Sequence, residues 1–310
     1  MEIAIISNND FGIESGLQKL GHSIKRYFCS HVKDVHEDIK HGYAPDAVLL
    51  MDNGKVPAFD WTKEKFNDTV LIFFTREAED VKDRDVRHAL SSDVTLTQNL
   101  NWVNFLALEG VNVFRFPYWV DQNIYFPRKE KSEIKYTDPI QKKGVNGEEF
   151  IPSVRYESIT EADDRPYDCI CSIEREEDFQ KVKEAFGRHD VNIINTASFT
   201  DGFLCDSKIF LNFKRHKTIP KIFFEAAACK TLILSVPLDE DSNIEGVFEE
   251  EREILYFSDP QNCVDRCVLY SKSKQSRDYV TEKAHRLIRQ YHSIDKRIKK
   301  LIKEIKIAKK

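Results

Sequence analysis

Residues 214–235 read KRHKTIPKIFFEAAACKTLILS, a basic loop running into a helix that carries Glu225 among small and apolar residues, and then into a buried strand. Loop, helix and strand in that order belong to a parallel α/β unit. A helix start that faces a cleft offers backbone N–H groups and the positive end of a dipole, which suit a diphosphate. Lys214, Lys221 and the Thr218 hydroxyl add charge and donors at the same place, and His216 in the basic loop is a further phosphate partner. Glu225, one turn into the helix, is placed to accept hydrogen bonds from ribose hydroxyls, as acidic residues do in other α/β nucleotide sites.

Working outward, the same alternation continues on both sides. YDCICS (167–172), DVNIIN (190–195), SKIFLNF (207–213) and EILYF (253–257) read as short buried strands, with REEDFQKVKEAFG (175–187) as an intervening helix. Nearer the start, EIAIIS (2–7), HSIKRYFC (22–29), DAVLLM (46–51), TVLIFF (69–74), DVTLTQ (93–98) and VNVFRF (111–116) form a second series, spaced by helical stretches such as LNWVNFLALEG (100–110). The pattern predicts an α/β protein of two Rossmann-like, doubly wound domains facing a central cleft. Residues 116–166 are instead rich in charge, Pro and Gly, and read as a domain boundary, a hairpin insertion or a mobile flap. The expected division is an N-terminal domain over 1–120, a linker or insertion over 121–166, a C-terminal domain over 167–292, and a closing amphipathic helix over 293–310 that packs back across the domains.

Composition bounds the function classes. The chain has 310 residues, 41% hydrophobic and 32% charged, with 21 Phe and 11 Tyr, which is enough apolar surface for two cores. A net charge of −5 argues against a surface built throughout to neutralise phosphates. No apolar run approaches the length of a membrane span, and Met1 and Glu2 lead straight into a strand-like segment, so a cytoplasmic location without a membrane span is expected. The seven cysteines are odd in number and scattered, the usage of reduced, buried thiols, and they include no metal-binding pair. No metal is expected.

Three segments then carry a family resemblance. KIFFEAAACKTLILS (221–235), GVFEEEREILYFSDPQNCVDRCVLY (246–270) and VTEKAHRLIRQYHSIDKRIKKLI (280–302) resemble, in order and spacing, the C-terminal domain of GT-B glycosyltransferases, with the closest flavour in the spore-maturation CgeB-like group. Upstream, GHSIKRY (21–27), PDAVLL (45–50) and FRFPYWVDQNIYFP (114–127) are similar to the N-terminal domain and crossover of the same enzymes. The resemblance implies transfer of a sugar from a nucleoside-diphosphate donor, a UDP- or GDP-sugar, to a hydroxyl acceptor, with no cofactor required. It also implies a basic residue on the diphosphate near Arg175, in a loop shared with Ser172 and Glu174. The competing reading of Arg175 is a surface ion pair with Glu176 or Glu177.

The sequence departs from the family pattern at three places. Lys230 stands where such enzymes often have Gly, Trp119 where many have Gly before Val-Asp, and Lys217 eight positions before Glu225, so the two-glutamate form of the motif is absent. In the N-terminal domain, Asp10 in the NNDFG loop and Glu77 after the TVLIFF strand are the candidate catalytic bases, because ligands of α/β sheets lie beyond the strands' carboxyl ends. Against these stand a helix N-cap role for Asn9 or Asp10 and a charged helix face for Glu77. His22 begins a strand, on the edge opposite any ligand.

Three functions remain in play. The first is a glycosyltransferase acting on a glycan or small molecule. The second acts on hydroxymethylated pyrimidine in DNA, with a groove supplied by the segments Arg128 to Lys135, Lys142 and the basic tail. The third is a non-catalytic nucleotide-sugar-binding module, motivated by the three departures.

Overall fold

The computed structural model describes residues 1–8, 12–52, 68–75, 83–122, 125–127, 129–130, 135–136, 156–157, 160–161, 165–196 and 202–309. The chain divides into two compact units, the first taking Met1–Tyr118 and Ile294–Lys310, the second Trp119–Ile140 and Pro152–Ser293.

In the first unit β1 (Glu2–Ile6), α1 (Ile13–Lys19), β2 (Ser23–Tyr27), α2 (Val32–Lys40), β3 (Ala47–Asp52), β4 (Val70–Thr75), α3 (Asp83–Ser91), β5 (Val94–Thr97), α4 (Leu100–Leu108) and β6 (Val113–Arg115) follow in turn. The six strands are all parallel, in the order β2-β1-β3-β4-β5-β6. All six residues of β4 are buried, as expected of a central strand covered on both faces, where polar and apolar residues need not alternate. Helix α4 starts at Asn99, whose side-chain oxygen accepts from the backbone N–H groups of Asn101 and Trp102 at 2.8 and 3.3 Å.

Among the described residues, four two-residue strands lie in the part of the second unit that precedes its sheet. β7 (Lys129–Glu130) pairs antiparallel with β10 (Thr160–Glu161), and β8 (Lys135–Tyr136) pairs antiparallel with β9 (Tyr156–Glu157), one pair nested inside the other. This part of the 116–166 stretch is therefore hairpin-like.

The second unit contains β11 (Tyr167–Cys171), α5 (Glu176–Gly187), β12 (Ile193–Asn195), β13 (Ser207–Asn212), α6 (Lys221–Ala228), β14 (Leu232–Ser235), β15 (Leu255–Tyr256), α7 (Pro260–Lys272) and α8 (Lys274–Leu287). Its five strands are again all parallel, ordered β12-β11-β13-β14-β15. Cys169, Cys171, Cys263 and Cys267 pack with Ile209, Leu211, Leu232 and Leu234 in the core, where thiols act as small apolar groups. Helix α7 begins with Asp259 accepting from the Asn262 N–H at 2.9 Å and Pro260 in the first turn, both standard start signals.

The last helix, α9 (Ile294–Ala308), belongs to the first unit. Its apolar stripe of Ile298, Leu301, Ile302 and Ile305 is buried, against α1 and β4 among others. Gly16 on α1 permits this approach, because a Cβ there would lie 3.0 Å from Cγ1 of Ile298. Among the described residues no helix is long and apolar enough to cross a membrane.

Candidate functional site

In the second sheet the strand order reverses between β11 and β13, since β11 is followed by β12 on one side and β13 lies on the other. Such a switch point opens a crevice beyond the carboxyl ends of the two strands, because their connections leave for opposite faces. The register aligns Cys171 with Leu211, so Ser172, just past β11, and Asn212, the last residue of β13, lie at the same level of the carboxyl edge. The crevice is thus bounded by the loop 172–175 and by the basic loop that leads into α6.

Two asparagines at strand ends fix these loops. Asn195, closing β12, accepts from the Ile173 N–H at 2.8 Å and donates to the Ile173 carbonyl at 2.9 Å. Asn212, closing β13 and 7% exposed, donates to the Lys214 carbonyl at 2.7 Å and to Ser235 Oγ at 2.8 Å. Its side-chain oxygen lies 3.3 Å from Nε2 of His216. Lys214, Arg215 and Lys217 are exposed on the loop so held, His216 is half-buried, and Thr218 is buried. Ser172, Glu174 and Arg175 are exposed, with Arg175 at the N-cap of α5. Glu176, Glu177 and Asp178 occupy the first turn of α5 and complement that helix's positive end. Helix α6 carries no acid in its first turn and no side-chain cap on its start at Pro220. Of the two helix starts bounding the crevice, α6 is therefore the one with positive potential to offer an anion.

Glu225 is buried on α6, and its carboxylate accepts from the Lys221 ammonium at 2.6 Å. The same ammonium lies 5.8 Å from the centre of the Tyr125 ring, a cation–π arrangement. Tyr125 completes the group by hydrogen bonding to Glu225, and burial, followed by the Glu225 charge and that bond, raises its phenol well above the ordinary tyrosine range. The phenol is therefore a permanent donor to the carboxylate. Lys221, Glu225 and Tyr125 thus form one unit. Tyr125, near the start of the second unit's chain, is thereby tied to the helix that leads the crevice.

Asp10 and Glu77 lie outside the described residues. At the carboxyl edge of the first sheet, Thr75 Oγ1 and Thr97 Oγ1 share a buried hydrogen bond of 2.9 Å. His22 sits at the opposite edge, beside the N-terminal amine at 3.3 Å. His285 donates from Nδ1 to the Ala228 carbonyl at the end of α6 at 2.9 Å, and His292 packs on Phe224 with ring centres 5.0 Å apart. Lys230 has a left-handed backbone, φ 55°, the conformation that favours Gly at the end of a helix, and its ammonium pairs with Glu282 at 2.5 Å. Trp119 is buried.

Asn195, Asn212 and Tyr125 were not singled out in the sequence. The asparagines carried a usable signal, a polar residue ending an apolar strand. Tyr125 carried none.

Two parallel sheets with flanking helices, each doubly wound about its first strand, give this molecule the GT-B fold. Residues 166–303 match a family model described as glycosyl transferase-like. No curated protein matches the sequence. Among solved structures, a glycosyltransferase from Rickettsia africae ESF-5 is similar with a TM-score of 0.62 at 12% identity, over 99% of this chain and 98% of that one. Anabaena Alr3699/HepE in complex with UDP and glucose has a TM-score of 0.61 at 8% identity, over 99% and 100%. A putative UDP-N-acetylglucosamine 2-epimerase from Listeria monocytogenes has a TM-score of 0.59 at 11% identity, over 98% and 95%. At these identities the likeness is one of fold.

Proposed function

We propose that the second unit binds a nucleoside-diphosphate sugar, a UDP- or GDP-sugar, and that the protein transfers the glycosyl group to a hydroxyl acceptor. The observation that carries this reading is the α6 start, free of acidic side chains, beside a basic loop at the switch point of a glycosyl transferase-like domain. The bound UDP of the Anabaena neighbour supports a uridine donor.

In the proposed reaction the bond between the anomeric carbon and the diphosphate oxygen breaks, and a bond to the acceptor oxygen forms. Negative charge grows on the departing diphosphate, and the α6 start, Lys221, Lys214, His216 and Arg175 meet it with fixed positive potential. Ser172 and Thr218 contribute hydroxyl donors. The chain's own cations make a metal unnecessary in this scheme. Glu225 accepts from the ribose hydroxyls with its orientation set by Lys221 and Tyr125. The acceptor hydroxyl loses its proton to Asp10 or Glu77, and the acceptor is a glycan, a small molecule or a modified DNA base.

A panel of UDP- and GDP-sugars, incubated with the protein and with mono- and oligosaccharide acceptors, tests this by mass spectrometry. Glycosylated acceptor with released nucleoside diphosphate, undiminished by EDTA, is the expected result. Binding of a donor without turnover toward any acceptor or water makes the protein a binding module instead, and interconversion of donor epimers makes it an epimerase.

A further inference from the structure

We propose that Cys205 and Cys229 are a reversible disulfide site, and that closing the disulfide weakens nucleotide binding at the adjoining helix α6. The second half rests on the donor-site reading above. The first half does not.

The two sulfurs already touch, with Sγ atoms 3.2 Å apart. A disulfide bond is about 2.05 Å long, so closure needs a relative shift of only about 1 Å. The positions of the two residues divide the labour. Cys205 lies in the turn before β13 and is part-exposed, whereas Cys229 is fully buried at the C-cap of α6. The other five cysteines are all buried, so Cys205 is the thiol that a small oxidant in solvent meets first. Its hydrogen bond with Cys229 holds the Cys205 thiol below its ordinary range, while burial raises that of Cys229. The more accessible member is thus placed to meet the oxidant, and the buried member to act as the resolving thiol.

With a hydroperoxide as oxidant, the Cys205 sulfur attacks one peroxide oxygen and the O–O bond breaks. Cys205 becomes a sulfenic acid, and the hydroxide released takes the thiol proton and leaves as water. The Cys229 sulfur then attacks the sulfenic sulfur, the S–S bond forms, the S–O bond breaks, and a second water leaves with the Cys229 proton. Two thiols lose two electrons and hydrogen peroxide gains them. A dithiol reductant reverses the change by exchange.

The consequence for α6 follows from a lost donor. The Cys205 S–H donates to the Phe126 carbonyl at 3.0 Å. A disulfide has no S–H, so oxidation removes that bond from the residue next to Tyr125, the partner of Glu225. Cys229 follows Glu225 by one turn, and its N–H donates to the Glu225 backbone carbonyl at 3.1 Å, so both ends of the disulfide adjoin the residue whose carboxylate faces the nucleotide.

The full chain, reduced with dithiothreitol and desalted, is treated with hydrogen peroxide, digested without reduction and mapped by mass spectrometry. A peptide pair linked through Cys205 and Cys229, abolished by dithiothreitol, is expected. Sulfinic acid on Cys205 without the link, or links only among other cysteines, overturns the site. UDP and GDP affinities are measured by calorimetry on reduced, oxidised and re-reduced protein. Oxidation is expected to weaken binding by roughly three- to tenfold, the factor set by loss of one neutral hydrogen bond, with recovery on re-reduction. In Cys205→Ser peroxide should leave affinity unchanged; a loss equal to that of the wild type overturns the coupling. If neither nucleotide binds the reduced protein, the donor-site reading and the coupling fall together, while the peptide map still decides the disulfide.

Discussion

Replacing Glu225 with alanine should lower the stability of the second unit by about 2–4 kcal/mol, through three losses. The Lys221 ammonium loses an acceptor at 2.6 Å. Breaking a fully buried pair from one side costs about 3–5 kcal/mol, but Lys221 is 31% exposed against 8% for Glu225. Water replaces the lost acceptor in part, and about 1–2 kcal/mol remains. The half-buried Tyr125 phenol loses its acceptor as well, for about 1 kcal/mol. The emptied volume beside Phe224 and the small residues of α6 adds up to about 1 kcal/mol. For a unit of this size the midpoint should drop by about 5–12 °C in a thermal melt. Glu225→Gln preserves shape and an acceptor for Tyr125, so it should lose about half as much. A double-mutant cycle with Lys221→Met isolates the ion pair and should return a coupling of about 1 kcal/mol. A coupling below about 0.3 kcal/mol would refute the argument that Lys221 holds this carboxylate.

Other perturbations test separate parts of the structure. Gly16→Val puts methyls where Ile298 and Ile294 already approach a Cβ position to 3.0 and 3.5 Å, and overpacking of this kind should cost about 1–3 kcal/mol in urea denaturation. Lys230→Gly relieves a left-handed backbone and should stabilise by up to about 1 kcal/mol, whereas Lys230→Ala keeps the strain, loses the pair with Glu282 and should destabilise. His285 is held below its ordinary value of 6.5, mainly by burial, so the unfolded chain takes up a proton before the folded one does as pH falls. Stability is then complete above about pH 6.5 and declines below it; His285→Gln should flatten that slope in pH-dependent melts, leaving the part due to His22, whose value is lowered in the same sense. Asn212→Ala frees the loop carrying Lys214 and His216 and should weaken nucleotide binding in calorimetry by more than its stability loss of about 1–2 kcal/mol suggests.

Most of the fold could be read in advance because each central strand is an apolar run that a helix separates from the next. The six buried residues of β4 and the apolar LILS of β14 are examples, since strands covered on both faces need no alternation and stand out against charged helices. The nested pairs of 129–161 could not be read, because two-residue strands with charged side chains present no period. Within the crevice, the role of Asn212 depends on a partner, Ser235, that adjoins it only once β13 and β14 have paired. Tyr125 meets Glu225 across a long stretch of chain, and no local spacing announces such a contact. The left-handed turn at Lys230 explains the departure from glycine there: an ion pair to α8 offsets part of the backbone cost.

Calorimetric titration of the reduced protein with UDP and GDP, repeated on Glu225→Gln and Lys221→Met, bears most directly on the claim that the α6 start and its basic loop receive a nucleoside diphosphate. At least one of the two should bind the wild type, raising its melting midpoint as mass action requires, and should bind both variants markedly more weakly. Equal affinity in all three proteins, or no binding to the wild type, would contradict it.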